Sequence, residues 1–260
     1  MGALRWFKAI ETPVSIELWE YSSPAGRMFP AEESDETGEP EKPGKGGAAA
    51  FYDAAKRRQR HYDGLRWEIG RLIDCNFDSA TRFVTLTFKD NVTDVKAANG
   101  EFHRFVKRLN YRVFGTKEAK LKYLAVWERQ KRGAVHYHMV LFSCPYIRAA
   151  DLREVWGQGF VKVNRVRVDS RDNVGRYISK YFSKDVEEGG YRQKKFFRSQ
   201  NLAEPVVERW SAPDSPDLRG LNVVFRKEYE QVVNGSEGFR PRRVEYVKIR
   251  KEGGGDAIDQ

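Results

Sequence analysis

Between residues 81 and 168 the apolar period switches between two and about 3.6 in a fixed order, which constrains the fold more than any other feature. "TRFVTLTF" (81–88) alternates strictly and is rich in β-branched residues, which predicts a strand. "VKAANGEFHRFVKRLNYRVF" (95–114) carries Phe102, Phe105, Val106 and Leu109 on one helical stripe. "LKYLAVWE" (121–128) and "AVHYHMVLF" (134–142) read as strands joined by a short turn. "IRAADLREVW" (147–156) reads as a helix ended by Gly157, and "GFVKVNRVRV" (159–168) as another alternating strand.

The succession β-α-β-β-α-β is that of a ferredoxin-like split βαβ unit. The expected fold class is therefore α+β, an antiparallel sheet with helices on its faces. Residues 1–21, with "SIELWEYS", predict an N-terminal strand pair. Residues 22–47 are rich in Pro, Gly and Glu without periodicity and read as a disordered loop. An amphipathic helix is expected over 48–75 with "KRRQR" on its exposed side, and a further helix over 172–185. "LNVVFRKEY" (221–229) and "RRVEYVKIR" (242–250) predict strands. The expected layout is thus a strand pair, a loop, one domain over 48–250 with its core at 81–185 and peripheral extensions, and a polar tail at 251–260. There is no internal repeat.

Charge narrows the partners. The chain of 260 residues carries a formal +10, with a pI near 9.5. Six acids and no base fall within residues 31–41, so the remainder is more basic still. That balance favours a polyanionic partner, most often nucleic acid, and "KRRQR" (56–60) and "RQKKFFR" (192–198) are candidate contact segments. Cys75 and Cys144 stand apart with no CxxC pairing, which argues against a disulfide framework or a structural zinc site. No apolar run reaches the roughly 18 residues of a membrane span, and the N-terminus lacks a secretion-signal core, so a cytoplasmic protein without membrane contact is expected.

"KRGAVHYHMVLF" (131–142) holds two of the four histidines, one residue apart. On a strand His136 and His138 share one face and Tyr137 takes the other. A three-residue turn at Lys131-Arg132-Gly133, with Gly133 left-handed, pairs Gln130 with Ala134 and sets Glu128 across from His136. A one-residue slip would send Glu128 to the opposite face. Two imidazoles and a carboxylate then converge, a set suited to Mg²⁺, Mn²⁺ or a similar divalent ion. The same trio also describes non-haem iron sites, and Glu128 could instead be a hairpin carboxylate paired with Arg129 or Arg132.

The second constellation is "NVGRYISKYFSKD" (173–185). With Val174, Ile178 and Phe182 as an apolar stripe, Tyr177 falls ~300° around the helix, beside Lys180 at ~240° and Lys184 at ~280°. Tyr181, at ~340°, borders the stripe. Tyrosine is a poor nucleophile at neutral pH unless its anion is stabilised, which neighbouring ammonium groups can do. The residues alone equally fit a basic helix that grips phosphates without chemistry.

Taken together, the chain resembles the HUH endonucleases, and among them the replication initiators of rolling-circle plasmids and single-stranded DNA phages. "FVTLTF" is similar to their first motif, "HYHMVLF" to the two-histidine motif, and "YISKYFSK" to the nucleophile motif; the resemblance covers residues 81–185. Glu128 stands where many such initiators carry a third metal ligand. The Tyr-x-x-Lys repeat at Tyr177 and Tyr181 resembles the paired tyrosines of certain phage initiators. The resemblance implies a metal-dependent nickase and strand transferase, with Mn²⁺ or Mg²⁺ held by His136, His138 and Glu128. Tyr177 would be the nucleophile, Tyr181 a second one, and Lys180 a phosphate-positioning group. Implied partners are single-stranded and hairpin origin DNA, a host helicase and polymerase, and further copies of the chain. "GKGG" is not a P-loop, so no fused helicase is expected. A non-catalytic origin-binding or copy-control protein, or a transposase of the same superfamily, are the competing readings.

Overall fold

The computed structural model describes residues 4–23, 63–165, 196–235 and 238–252. In chain order the elements are β1 (Arg5–Glu11), β2 (Ser15–Tyr21), a helix α1 over 63–76, β3 (Arg82–Phe88) and α2 (Val95–Phe114). There follow β4 (Lys122–Arg129), β5 (Val135–Phe142), α3 (Ala149–Trp156), β6 (Gly159–Arg165) and β7 (Phe196–Arg198). The last three are β8 (Val206–Ala212), β9 (Asn222–Gly235) and β10 (Gly238–Arg250). Among the described residues, 4–23 and 205–252 form one compact unit, and 63–165 with 196–204 the other.

The first unit is an antiparallel sheet in the order β8-β1-β2-β10-β9. The expected N-terminal pair is present, and the C-terminal strands join it. The register places the buried Phe7, Leu18 and Val247 on one face and the buried Val244 on the other. Phe7 stacks on Trp210 at 5.2 Å, and the buried Arg242 guanidinium lies 4.3 Å from the Tyr21 ring centre. β8 had no counterpart in the expected elements: "VVERWSA" is a mostly exposed edge strand without apolar alternation.

The second unit is the α+β, ferredoxin-like unit that the periodicity predicts. Its sheet runs β6-β3-β5-β4-β7, all neighbours antiparallel. Within β-α-β-β-α-β, that is last-first-third-second, with the three-residue β7 added on the outer edge of β4. Strand parity divides the sheet into two faces. Val84, Leu86, Tyr137, Met139 and Leu141 pack on one side with Phe102, Phe105 and Leu109 of α2 and Leu152 and Trp156 of α3. Phe83, Leu124, Val126, Val140 and Phe142 pack on the other with Ile69, Leu72 and Ile73 of α1.

Helix α2 begins because the Asp94 side chain accepts from Lys96 N, and ends where Gly115 turns left-handed at φ 65°. Phe102 is fully buried and stacks on Tyr137 at 4.4 Å; burying such a side chain contributes about 1.5–3 kcal/mol. The chain leaves α2 through a knot around Asn110. Its amide nitrogen donates to the carbonyls of Thr116 (2.8 Å) and Glu118 (2.7 Å), and its oxygen accepts from Lys120 N and Leu121 N (2.9 Å each). The four bonds fix the entry into β4 and hence the position of Glu128. No helix among the described residues is long and apolar enough to cross a membrane.

Candidate metal centre

The hairpin β4–β5 builds the site. Gln130 N donates to Ala134 O at 2.8 Å and Gly133 N to Gln130 O at 2.7 Å, closing a three-residue loop. Gly133 sits at φ 85°, a conformation that a side chain makes costly. The register that follows pairs Glu128 with His136 and Val126 with His138. His136, His138 and Glu128 therefore lie on the α1 side of the sheet, and Tyr137 on the α2 side.

The three side chains meet. Glu128 Oε1 lies 2.8 Å from His138 Nε2 and is also bonded by His136 Nε2. The imidazole rings are 4.7 Å apart and inclined at 72°, so both Nε2 atoms aim at one place. The candidate ligand atoms all lie within 4.8 Å of one another. Two donors bound at right angles to one ion at ~2.1 Å stand ~3 Å apart, close to the His138–Glu128 spacing. Burial is partial, with side-chain exposures of 11% for His136, 10% for His138 and 21% for Glu128. The donor set, two nitrogens and a carboxylate, fits a divalent cation with positions left for water or phosphate oxygen.

The competing pairing of Glu128 with a hairpin arginine is not adopted. Arg129 donates to the carbonyls of Thr93 (3.0 Å) and Gly133 (2.9 Å), and Arg132 to Phe88 O (2.7 Å) and Gln130 Oε1 (3.1 Å). Both guanidinium groups brace the hairpin tip.

The neighbouring strand adds Thr85, whose role does not follow from its place in "FVTLTF" alone. β3 pairs Thr85 with His138 and Thr87 with His136. Thr85 Oγ1 lies 3.3 Å from His138 Nδ1, and Phe83 stacks on the same imidazole at 5.6 Å. When Nε2 carries a metal, Nδ1 bears the proton, and Thr85 is placed to accept it. His136 Nδ1, by contrast, is buried with no hydrogen-bond partner among the described residues. Alternation in "FVTLTF" gave the face of Thr85; its partner needed the strand order.

Among the described residues, Tyr137, Cys75 and Cys144 are poorly suited to nucleophilic work. Tyr137, between the histidines in sequence, donates its hydroxyl to Asn99 Oδ1 at 2.7 Å, and burial pushes its pKa far above the ordinary phenol value. Burial likewise pushes Cys75 and Cys144 up to about 11. The sequence-predicted Tyr177, Lys180 and Tyr181 lie outside the described residues, as do "KRRQR" and the start of "RQKKFFR".

A sheet of this topology carrying a two-histidine, one-carboxylate cluster on its third and second strands defines an α+β protein with a candidate metal centre. Comparison with known proteins adds a class. Residues 81–186, which span this sheet's core elements, match the family model of the replication-associated protein ORF2/G2P. Over 162 residues the chain is 26% identical to the phasyl DNA replicon protein arp of Escherichia coli, covering 52% of this chain and 54% of that protein. The chain thus spans about half the length of this relative. Both similarities are to proteins of DNA replication. No solved structure matches.

Proposed function

We propose that the protein is a rolling-circle replication initiator of the HUH type. It nicks single-stranded origin DNA through a tyrosine and later rejoins the strands. The observation that carries this reading is the convergence of His136 and His138 Nε2 on the Glu128 carboxylate, inside the segment similar to replication-associated proteins. A divalent ion, Mn²⁺ or Mg²⁺, held by these three residues supplies electrostatic stabilisation of a phosphate that is gaining charge.

The chain's own groups do the rest. Tyr177 is the nucleophile: its phenolic oxygen forms a bond to phosphorus as the phosphorus–O3′ bond breaks. The phenolic proton ends on the departing 3′ oxygen, leaving a free 3′ hydroxyl and a 5′ phosphotyrosine. Lys180 positions the phosphate and favours the phenolate, and Tyr181 serves the closing transfer. Thr85 holds His138 with Nε2 forward, and Phe83 fixes the plane of its ring. The partners are origin DNA, single-stranded or extruded as a hairpin, and a host helicase and polymerase. The competing reading is a binding protein without cleavage.

The test is cleavage of labelled single-stranded origin DNA in Mn²⁺, Mg²⁺ and EDTA. The reading expects cleavage only with metal. Replacing His136 and His138 together by alanine should abolish it while largely preserving DNA binding, which rests on Lys and Arg contacts to phosphate. Undiminished cleavage in EDTA removes the metal from the mechanism. Binding without cleavage under all conditions assigns the chain to the non-catalytic alternative.

A further inference from the structure

One aromatic side chain of the second unit stands in the open on the same face as the metal centre. β6 is the edge strand beside β3, and its register sets Phe160 opposite Thr87 and Lys162 opposite Thr85. Since Thr87 faces His136 and Thr85 faces His138, two continuous rows cross the sheet. One runs Phe160–Thr87–His136–Glu128 and the other Lys162–Thr85–His138–Val126. Val161, between them in sequence, packs into the α2 side, which confirms the facing of its neighbours.

Phe160 is 68% exposed, and among the described residues no other ring packs against it. Full burial of a phenyl ring contributes about 1.5–3 kcal/mol, and a ring left 68% exposed forgoes most of it, so a folding role is a poor account of Phe160. Lys162 is also exposed, and no acidic side chain among the described residues pairs with it. The backbone beneath is tightly set: at Gly159 (φ 153°) an added Cβ would lie 2.4 Å from Lys89 N and Thr87 O, so β6 is held hard against β3. Phe160 is therefore a rigidly placed, solvent-facing ring two strands, or about 10 Å, from the strand bearing the histidines.

We propose that Phe160 and Lys162 form a subsite for single-stranded DNA, the ring stacking on a nucleobase and the ammonium contacting the adjoining phosphate. The proposal rests on the nickase reading for the direction of the strand, which crosses from β6 towards the Glu128–His136–His138 cluster. The occupant follows from the chemistry. A flat apolar ring beside an unpaired cation, on a protein of net charge +10, matches an unstacked base on a polyanionic chain. Paired bases in a duplex offer no free face to such a ring.

The test measures binding of a fluorescein-labelled oligothymidylate in EDTA, so that cleavage plays no part. Phe160→Ala should weaken binding about 5- to 150-fold, the range for loss of one base–aromatic stack. Phe160→Leu, which keeps an apolar group without the ring, should bind as weakly, and Phe160→Trp should restore affinity. Lys162→Ala should reduce the slope of log affinity against log salt by about 0.7, one phosphate's share on a single strand. Binding of a duplex of the same length should respond to none of the Phe160 changes. Wild-type affinity in Phe160→Ala overturns the proposal, and so does wild-type affinity in Phe160→Leu, which would leave mere apolar contact. Loss of binding in Phe160→Ala alongside a wild type that never cleaves retains the subsite and removes the nickase; intact binding with metal-dependent cleavage does the reverse.

Discussion

Thr85→Val tests the metal reading without touching a ligand. Valine keeps the volume and β-branching of threonine, so β3 should retain its pairing. Only the hydroxyl 3.3 Å from His138 Nδ1 is lost. In the metal-free site that hydroxyl can donate to a bare Nδ1, a neutral hydrogen bond worth about 1 kcal/mol. With metal on Nε2, Nδ1 carries a proton, and leaving that part-buried donor unpaired costs about 1–3 kcal/mol. Only the difference reaches the affinity, and the contact is at the long end of the hydrogen-bond range. That difference spans about 0–2 kcal/mol, and its midpoint sets the expected loss at about 1 kcal/mol, or ~5-fold in Mn²⁺ affinity. Titration of the purified protein with Mn²⁺, followed by electron paramagnetic resonance, reads it directly. Thermal denaturation of the metal-free protein should move little. Unchanged Mn²⁺ affinity would refute the assignment of Nε2 as the ligand atom of His138 and of Thr85 as its support.

Three further outcomes follow from the scaffold. Asn110→Ala removes four hydrogen bonds, of which the one from Leu121 N is buried, and should lower stability by about 2–4 kcal/mol by urea denaturation; Asn110→Asp, which keeps the two acceptor contacts but sets a carboxylate oxygen against the carbonyls of Thr116 and Glu118, should be no more stable than the alanine variant at neutral pH. Gly133→Ala meets no clash, the nearest side-chain atom being Thr93 Cγ2 at 3.7 Å, so only the φ strain of about 1–2 kcal/mol should appear in the denaturation midpoint, with metal affinity kept. Burial raises the Cys75 and Cys144 thiols from 9.0 to about 11, so the unfolded chain releases these protons first. Stability from this source is full below pH 9 and is lost as pH rises towards 11, and replacing both cysteines by alanine should make that fall shallower in denaturation series at successive pH values.

Much of the site was legible because its parts are local. A hairpin with a glycine in the left-handed loop position admits few registers, and only one sets Glu128 on the face of His136 and His138; the pairing of Glu128 with His136 is the one expected. The six core elements could be read because their periods are clean, each differing from its expected bounds by no more than three residues where described. Contacts between distant segments were not legible. The pairing of β10 with β2 and of β8 with β1 depends on partners more than 190 residues away, about which periodicity says nothing. β7 is three residues long and lies on an edge, too short to show alternation. Thr85 and Phe160 could be assigned a face from the sequence, but their proximity to the histidines came only with the strand order β6-β3-β5.

The most direct measurement of the central claim is the chemical state of the DNA end after cleavage. Single-stranded origin DNA, incubated with the protein and Mn²⁺, should yield a fragment with a free 3′ hydroxyl and a second fragment joined to protein through its 5′ phosphate. Protease digestion and mass spectrometry should then place the nucleotide on the peptide holding Tyr177, and Tyr177→Phe should remove it. A 5′ phosphate free in solution, with no nucleotide on either Tyr177 or Tyr181, would mean attack by water and would contradict the account.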